Sequence, residues 1–145
     1  MSDIEDIIRR NRHNVARFLD ATHSGELDVI DELVDAGIVT HGFPCGSSPA
    51  SREEYKAFFA DLGEQWADME FELHALVADA HHVAARFTVT GTHDAELMGV
   101  PATGRRVAFD GMALYRMKDG LIAETWLQPD NLAILDQIGG LAAAA

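Results

Sequence analysis

The hydrophobic period of this chain changes once, near residue 66, and that change sets what it can fold into. Before it, apolar residues recur every three to four positions. Ile4, Ile7, Ile8, Val15, Phe18 and Leu19 share one face of a long first helix. Leu27, Ile30, Leu33 and Val34 continue the pattern through ELDVIDELV, with Gly37 placed to close a second helix. Ser51 and Glu54 form an S-x-x-E capping box that opens a third helix carrying Tyr55, Phe58, Phe59, Leu62 and Trp66. IVT reads as a short strand between the second and third helices, and HGFPCGSSPAS as a loop. From Met69 onward the period is two. MEFELHALV and HHVAARFTVTGTH alternate, the latter with Val83, Ala85, Phe87 and Val89 on one face, and VAFDGMALYRM and LIAETWLQ follow as two further strands. Asp119-Gly120 suits a tight hairpin turn between these two. Asp130 is placed to cap a last helix, NLAILDQI, ended by Gly139 and Gly140, and the alanine-rich tail is expected to fray.

Helices followed by an antiparallel sheet predict one α+β domain over residues 1–145, with a curved antiparallel sheet wrapped around helices to form a cone. The third helix brings aromatic side chains to the interior of that cone, where a pocket for a small apolar molecule is expected. Composition narrows the partners. Eleven basic against 24 acidic residues leave a net charge of −13, which repels nucleic-acid phosphates and anionic membrane lipid. Cys45 is the only cysteine, so no intrachain disulfide can form, and no segment approaches the roughly 20 apolar residues of a membrane span. A cytoplasmic protein is expected. His13, His23, His74, His81 and His82 form no H-x-H or H-E-x-x-H spacing, and no phosphate-binding glycine loop or nucleophile elbow occurs. Neither a metal nor a cofactor is predicted.

Between Gly91 and Gly139 the chain carries Gly91-Thr92-His93, Met98-Gly99-Val100-Pro101-x-Thr103-Gly104-Arg105-Arg106, Arg116, Asp119-Gly120, Trp126, Asp130 and Gln137-x-Gly139. This pattern resembles the SnoaL-like polyketide cyclases, members of the cone-shaped superfamily that includes ketosteroid isomerase and nuclear transport factor 2. The resemblance implies a cofactor-free aldol ring closure in which an aspartate removes a proton beside a carbonyl, supported by a glutamine and a histidine. Registered on Arg116, Asp119-Gly120, Pro129 and Asp130, the aspartate position falls on Leu127, and the two supporting positions fall on Gly111 and Ala113. None of the three can exchange a proton. Alternation puts Thr125 and Leu127 on one face of the last strand and Glu124, Trp126 and Gln128 on the other. With the family register, Thr125 and Leu127 face the pocket. Glu124 then reads as a solvated or cross-strand charge, and His93 as a tie to the following loop.

Three side chains remain as catalytic candidates. His41, at the entrance to the Gly-Pro loop, titrates near neutrality and could be a relocated base, or simply an exposed loop histidine. Arg86 shares a strand face with Thr88, Thr90 and Thr92, either a polar pocket lining or the wet side of a sheet; in the first case it would clamp a carbonyl or carboxylate. Tyr115 could donate a hydrogen bond to a carbonyl. Tyr55, Phe59, Trp66, Thr90, Gly111, Ala113, Thr125 and Leu127 are the expected substrate-binding set. The reading that follows is a cofactor-free cyclase that folds an apolar, polyketide-like molecule in a roomy pocket and closes a ring with little proton transfer, as in a cycloaddition. An aldol cyclase using His41 and a non-catalytic binder are the alternatives. Met112 and Leu114 on the convex face predict a homodimer.

Overall fold

The computed structural model describes residues 3–43 and 48–141, so Cys45 and the tail beyond Leu141 lie outside the described residues. In chain order the elements are α1 (Ile4–His23), α2 (Val29–Leu33), β1 (Val34–His41), α3 (Arg52–Gln65), β2 (Trp66–Ala78), β3 (His82–His93), β4 (Arg106–Lys118), β5 (Leu121–Pro129) and α4 (Asn131–Ile138). The architecture is the expected α+β one, a curved five-stranded sheet with helices on its concave side.

Local chemistry accounts for most boundaries. Asp3 accepts from the Asp6 N–H at the start of α1, and Ser51 Oγ accepts from the Glu54 N–H at the start of α3. The Glu54 carboxylate reaches back to the Ala50 N–H at 3.1 Å, one residue earlier than in the usual reciprocal box. Asp130 accepts from the Ala133 N–H, and Gly139 ends α4 in the left-handed region at φ 84°. Asp119 and Gly120, at φ 51° and 79°, make the β4–β5 hairpin turn.

Three expectations change. The sheet order is β1-β5-β4-β3-β2, and β1 joins it parallel to β5, so the sheet is mixed rather than wholly antiparallel. That same pairing stops α2 at Leu33: Val34 is already opposite Ile122, and Gly37 lies inside the strand, where its N–H donates to Asp35 Oδ2 at a register shift. Trp66 belongs to β2 instead of α3, because it pairs with His93 at the far end of β3. Its side chain is nonetheless buried.

Inward and outward faces follow the pleat. On β4, Val107, Phe109, Gly111, Ala113, Tyr115 and Met117 point inward and the intervening residues outward. The antiparallel register sets Ala113 opposite Leu127 and Tyr115 opposite Thr125. Two asparagines of α1 hold that helix on the concave face. Buried Asn11 donates to the carbonyls of Asp79 and Ala80 in the β2–β3 turn, and Asn14 donates to the Gly120 carbonyl at 2.8 Å. At the opposite end of the sheet, the Gln137 amide bonds both the N–H and the carbonyl of Ala108, fastening α4 to β4.

Gly42, at φ 79°, follows β1 where the chain passes over β5, and a Cβ there would stand 2.2 Å from the Leu127 carbonyl oxygen. Gly42→Ala therefore combines a left-handed backbone cost of about 1–2 kcal/mol with a clash against a strand backbone. We expect a loss of at least about 2 kcal/mol in unfolding free energy, measured as a lower urea midpoint at unchanged slope.

Candidate active site

α1, α3, the inner sheet face, the β3–β4 loop and α4 enclose a cavity of about 600 Å³. Its walls are mostly apolar, with Leu19, Phe43, Phe58, Phe59, Leu62, Trp66, Phe87, Leu97, Met98, Phe109, Leu127 and Ile134 among them. The aromatic side is tightly built: the Phe18 ring lies 5.8, 5.7 and 6.0 Å from those of Tyr55, Phe59 and Tyr115.

Three hydroxyls meet in this apolar wall. Tyr55 comes from α3, Tyr115 from β4 and Thr125 from β5, with relative exposures of 2, 3 and 1%. Tyr115 and Thr125 are direct cross-strand partners, and the Tyr55 and Tyr115 rings both pack on Phe18. Burial pushes the Tyr55 phenol well above its ordinary 10, the neighbouring Tyr115 adds to the shift, and Thr125 only partly opposes it. Burial raises Tyr115 too. Both phenols therefore stay protonated across the physiological range and can donate hydrogen bonds to a ligand oxygen.

His23, on the last turn of α1, also lines the cavity. Its imidazole stacks on Phe71 at 4.1 Å and meets the edge of Phe59 at 5.6 Å. Nδ1 lies 2.8 Å from the Leu19 carbonyl and 3.3 Å from Thr22 Oγ1. A carbonyl can only accept, so in the neutral ring the proton sits on Nδ1 and Nε2 carries the lone pair. Burial lowers the His23 pKa below 6.5, outweighing the Leu19 carbonyl, which favours the charged form. Asn131, at the start of α4, adds a polar group to the lining.

The structure brings together Tyr55, Phe59, Trp66, Tyr115, Thr125 and Leu127 at this cavity. Gly111 and Ala113 face inward but do not line it. A Cβ on Gly111 would stand 2.7 Å from two ring carbons of Phe87, so that ring occupies the room the glycine leaves. The pocket is thus not enlarged at these positions. Arg86 and Thr90 fall outside the cavity, on the outer face of β3, because Phe87 and Val89 take the inner one. His41 is also outside. It pairs with Trp126 across the parallel β1–β5 register and stacks on that indole at 5.2 Å. Its Nε2 lies 2.7 Å from Glu124 Oε2, while Arg116 Nε holds Glu124 Oε1 at 3.0 Å. These two partners depress the Glu124 pKa, His41 first. With 44% of the His41 side chain exposed on the outer face, it cannot serve as the cavity's base. His93 is tied to Thr103, as anticipated.

Metal-ligand spacing gives no sign of His23, which nonetheless lines the cavity. A signal for it exists: Val15, Phe18, Leu19, Thr22 and His23 continue one helical stripe, so the buried face of α1 ends on an imidazole. Among the described residues no group of three metal-ligating side chains occurs, and no helix is long and apolar enough to cross a membrane.

This fold matches known proteins. The model of the SnoaL-like polyketide cyclase family matches residues 13–138, and the chain belongs to that family. It is 28% identical over 131 residues to aklanonic acid methyl ester cyclase DnrD of Streptomyces peucetius, covering 86% of this chain and 88% of that protein. A SnoaL-like protein from Jannaschia sp. CCS1 has a similar structure, with a TM-score of 0.81 at 25% identity and 95% and 97% of the two chains covered. IdmH from Streptomyces antibioticus superposes with a TM-score of 0.75 at 31% identity, over 89% of this chain and 98% of the other.

Tyr55 and Tyr115 are the only tyrosines, so their titration is readable directly. Tyrosinate absorbance is expected to stay absent well above pH 10 until the protein unfolds. The raised pKa values stabilise the fold fully below pH 10, and this contribution is lost as pH rises beyond it, because the unfolded phenols ionise there. A native spectrophotometric titration with a midpoint near 10 would show that the phenols are not buried.

Proposed function

We propose that this chain is a polyketide cyclase that closes a ring in an apolar, carbonyl-bearing substrate, without a cofactor. One observation carries the reading: three buried, uncharged hydroxyls, Tyr55, Tyr115 and Thr125, line a mostly apolar cavity. A carbonyl oxygen placed there accepts hydrogen bonds that strengthen as negative charge grows on it during bond formation. Such preorganised donors, shielded from water, are worth far more than in solution. The aromatic walls of Phe59, Phe87, Phe109 and Trp66 fold the rest of the substrate and hold its reacting carbons close. The Streptomyces peucetius relative is named for cyclising aklanonic acid methyl ester, which suggests a methyl ester as the substrate class.

Two kinds of ring closure fit the hydroxyls. Leu127, Gly111 and Ala113 offer no proton-transfer group, which favours closure by confinement, as in a cycloaddition. His23 supports an aldol closure, since its imidazole lines the cavity. A His41-based aldol closure has lost its support, since that side chain is on the outer face.

With aklanonic acid methyl ester as the first probe, ring closure is expected as an isomer of unchanged mass, formed faster than in buffer. Tyr55→Phe and Tyr115→Phe should each lower kcat by roughly tenfold to a hundredfold, with the folded state retained. Tight binding without turnover of this probe or other aromatic polyketide esters would make the chain a binder.

We further propose that the outer sheet face joins two copies of the chain. Met112 and Leu114 are 54 and 39% exposed there, with Val39 and the Trp126–His41 stack beside them on β1 and β5. Sedimentation at micromolar concentration is expected to give twice the monomer mass, and a Met112→Lys, Leu114→Lys double variant to give the monomer.

A further inference from the structure

We propose that His23 is the general base of the cavity, its Nε2 removing a proton from a carbon beside a substrate carbonyl; the natural substrate rests on the cyclase reading above. The geometry supplies what a base needs. The ring is fixed by stacking on Phe71 and by the edge of Phe59. Its Nδ1–H is committed to Leu19, which sets the tautomer and leaves the Nε2 lone pair without a partner among the described residues. Burial keeps the ring neutral, and therefore basic, at physiological pH.

Among the described residues, none shown packed on the imidazole carries a charge. α3 packs Phe59 against the imidazole, β2 packs Phe71 and β3 packs Phe87, while α1 itself contributes the Leu19 carbonyl and the Thr22 hydroxyl. The cavity's carboxylates, Glu54 and Asp61, sit at its exposed rim on α3 and do not shift His23. The same Phe59 ring lies 5.3 Å from the Tyr55 ring, so the imidazole and the Tyr55 ring flank one phenyl ring. A folded substrate can present an acidic C–H to His23 and a second carbonyl to the hydroxyls.

The step balances within the substrate. Nε2 takes the proton, and the C–H electron pair forms an enolate. The enolate carbon attacks the second carbonyl, forming one carbon–carbon bond and moving the π pair onto oxygen. That alkoxide, held by Tyr55 and Tyr115, takes a proton from water, and the imidazolium returns its proton to water. Composition is unchanged.

A probe with no ring to close separates the base from the cyclisation. 5-Nitrobenzisoxazole loses its ring C–H proton to a base while the nitrogen–oxygen bond breaks, releasing a coloured cyano-nitrophenolate. The wild-type protein is expected to accelerate this elimination over buffer. Its kcat/KM should be flat near neutrality and fall as pH drops through a midpoint below 6.5. His23→Gln should lower the rate roughly a hundredfold or more, with His41→Gln unchanged. An unchanged rate in His23→Gln, or a wild-type rate no faster than buffer, overturns the proposal. Should His23→Gln fail to fold, ring-nitrogen NMR of the wild-type protein decides. A neutral Nδ1-protonated His23 at neutral pH supports the base, and an imidazolium or the opposite tautomer overturns it. Elimination that depends on His23 without ring closure of any polyketide ester would leave the base and sink the cyclase reading. Ring closure that survives His23→Gln, with unchanged elimination, would do the reverse and point to confinement.

Discussion

Two side-chain amides decide where the first helix lies, and the cavity depends on that placement. Asn11 and Asn14 reach the carbonyls of the two hairpin turns at one end of the sheet, so α1 is pinned to β2–β3 and β4–β5 at once. From these anchors the helix runs across the concave face, seats Phe18 among Tyr55, Phe59 and Tyr115, and delivers His23 to the cavity. Leaving any of these three carbonyls without its donor would strand a polar group at a packed surface, which is costly enough to make the pairing specific. The helix fixes one wall and the sheet register fixes the other.

The chemistry at those walls is divided between groups that stay neutral for one shared reason. Burial penalises charge, so it holds Tyr55 and Tyr115 as acids that do not ionise and His23 as a base that is not protonated. A single apolar environment thereby prepares donors and acceptor together, with no carboxylate at Leu127. On the outer face the balance is opposite. Glu124 is held ionised between His41 and Arg116, where paired partners and water support charge.

Much of this was legible from local patterns. The change of period separated helices from strands, alternation put Thr125 and Leu127 on one face of the last strand, and the family register turned that face inward, where both line the cavity. Alternation on β3 left Arg86 and Thr90 open between pocket lining and wet face, and in the structure the apolar Val83, Ala85, Phe87 and Val89 claim the core side and turn both outward. What escaped depends on pairing between distant segments. Nothing near Val34 announces a parallel partner ninety residues on, yet that partner ends α2 early and turns His41 onto Trp126. Trp66 likewise fits a helical stripe until His93 recruits it into a strand. His23 could have been found by following the α1 stripe to its last turn.

Gly111 and Phe87 show how the present cavity constrains its own history. The phenyl ring fills the volume a side chain at position 111 would need, with ring carbons 2.7 Å from where a Cβ would stand. The two positions therefore cannot vary independently. A polar residue could enter at 111 only after the ring at 87 had shrunk or turned away, and a smaller residue at 87 alone would leave a void in the wall. A path from this cavity to one with a polar side chain at 111 must cross an intermediate that is either crowded or hollow, so the order of substitutions matters as much as their identity.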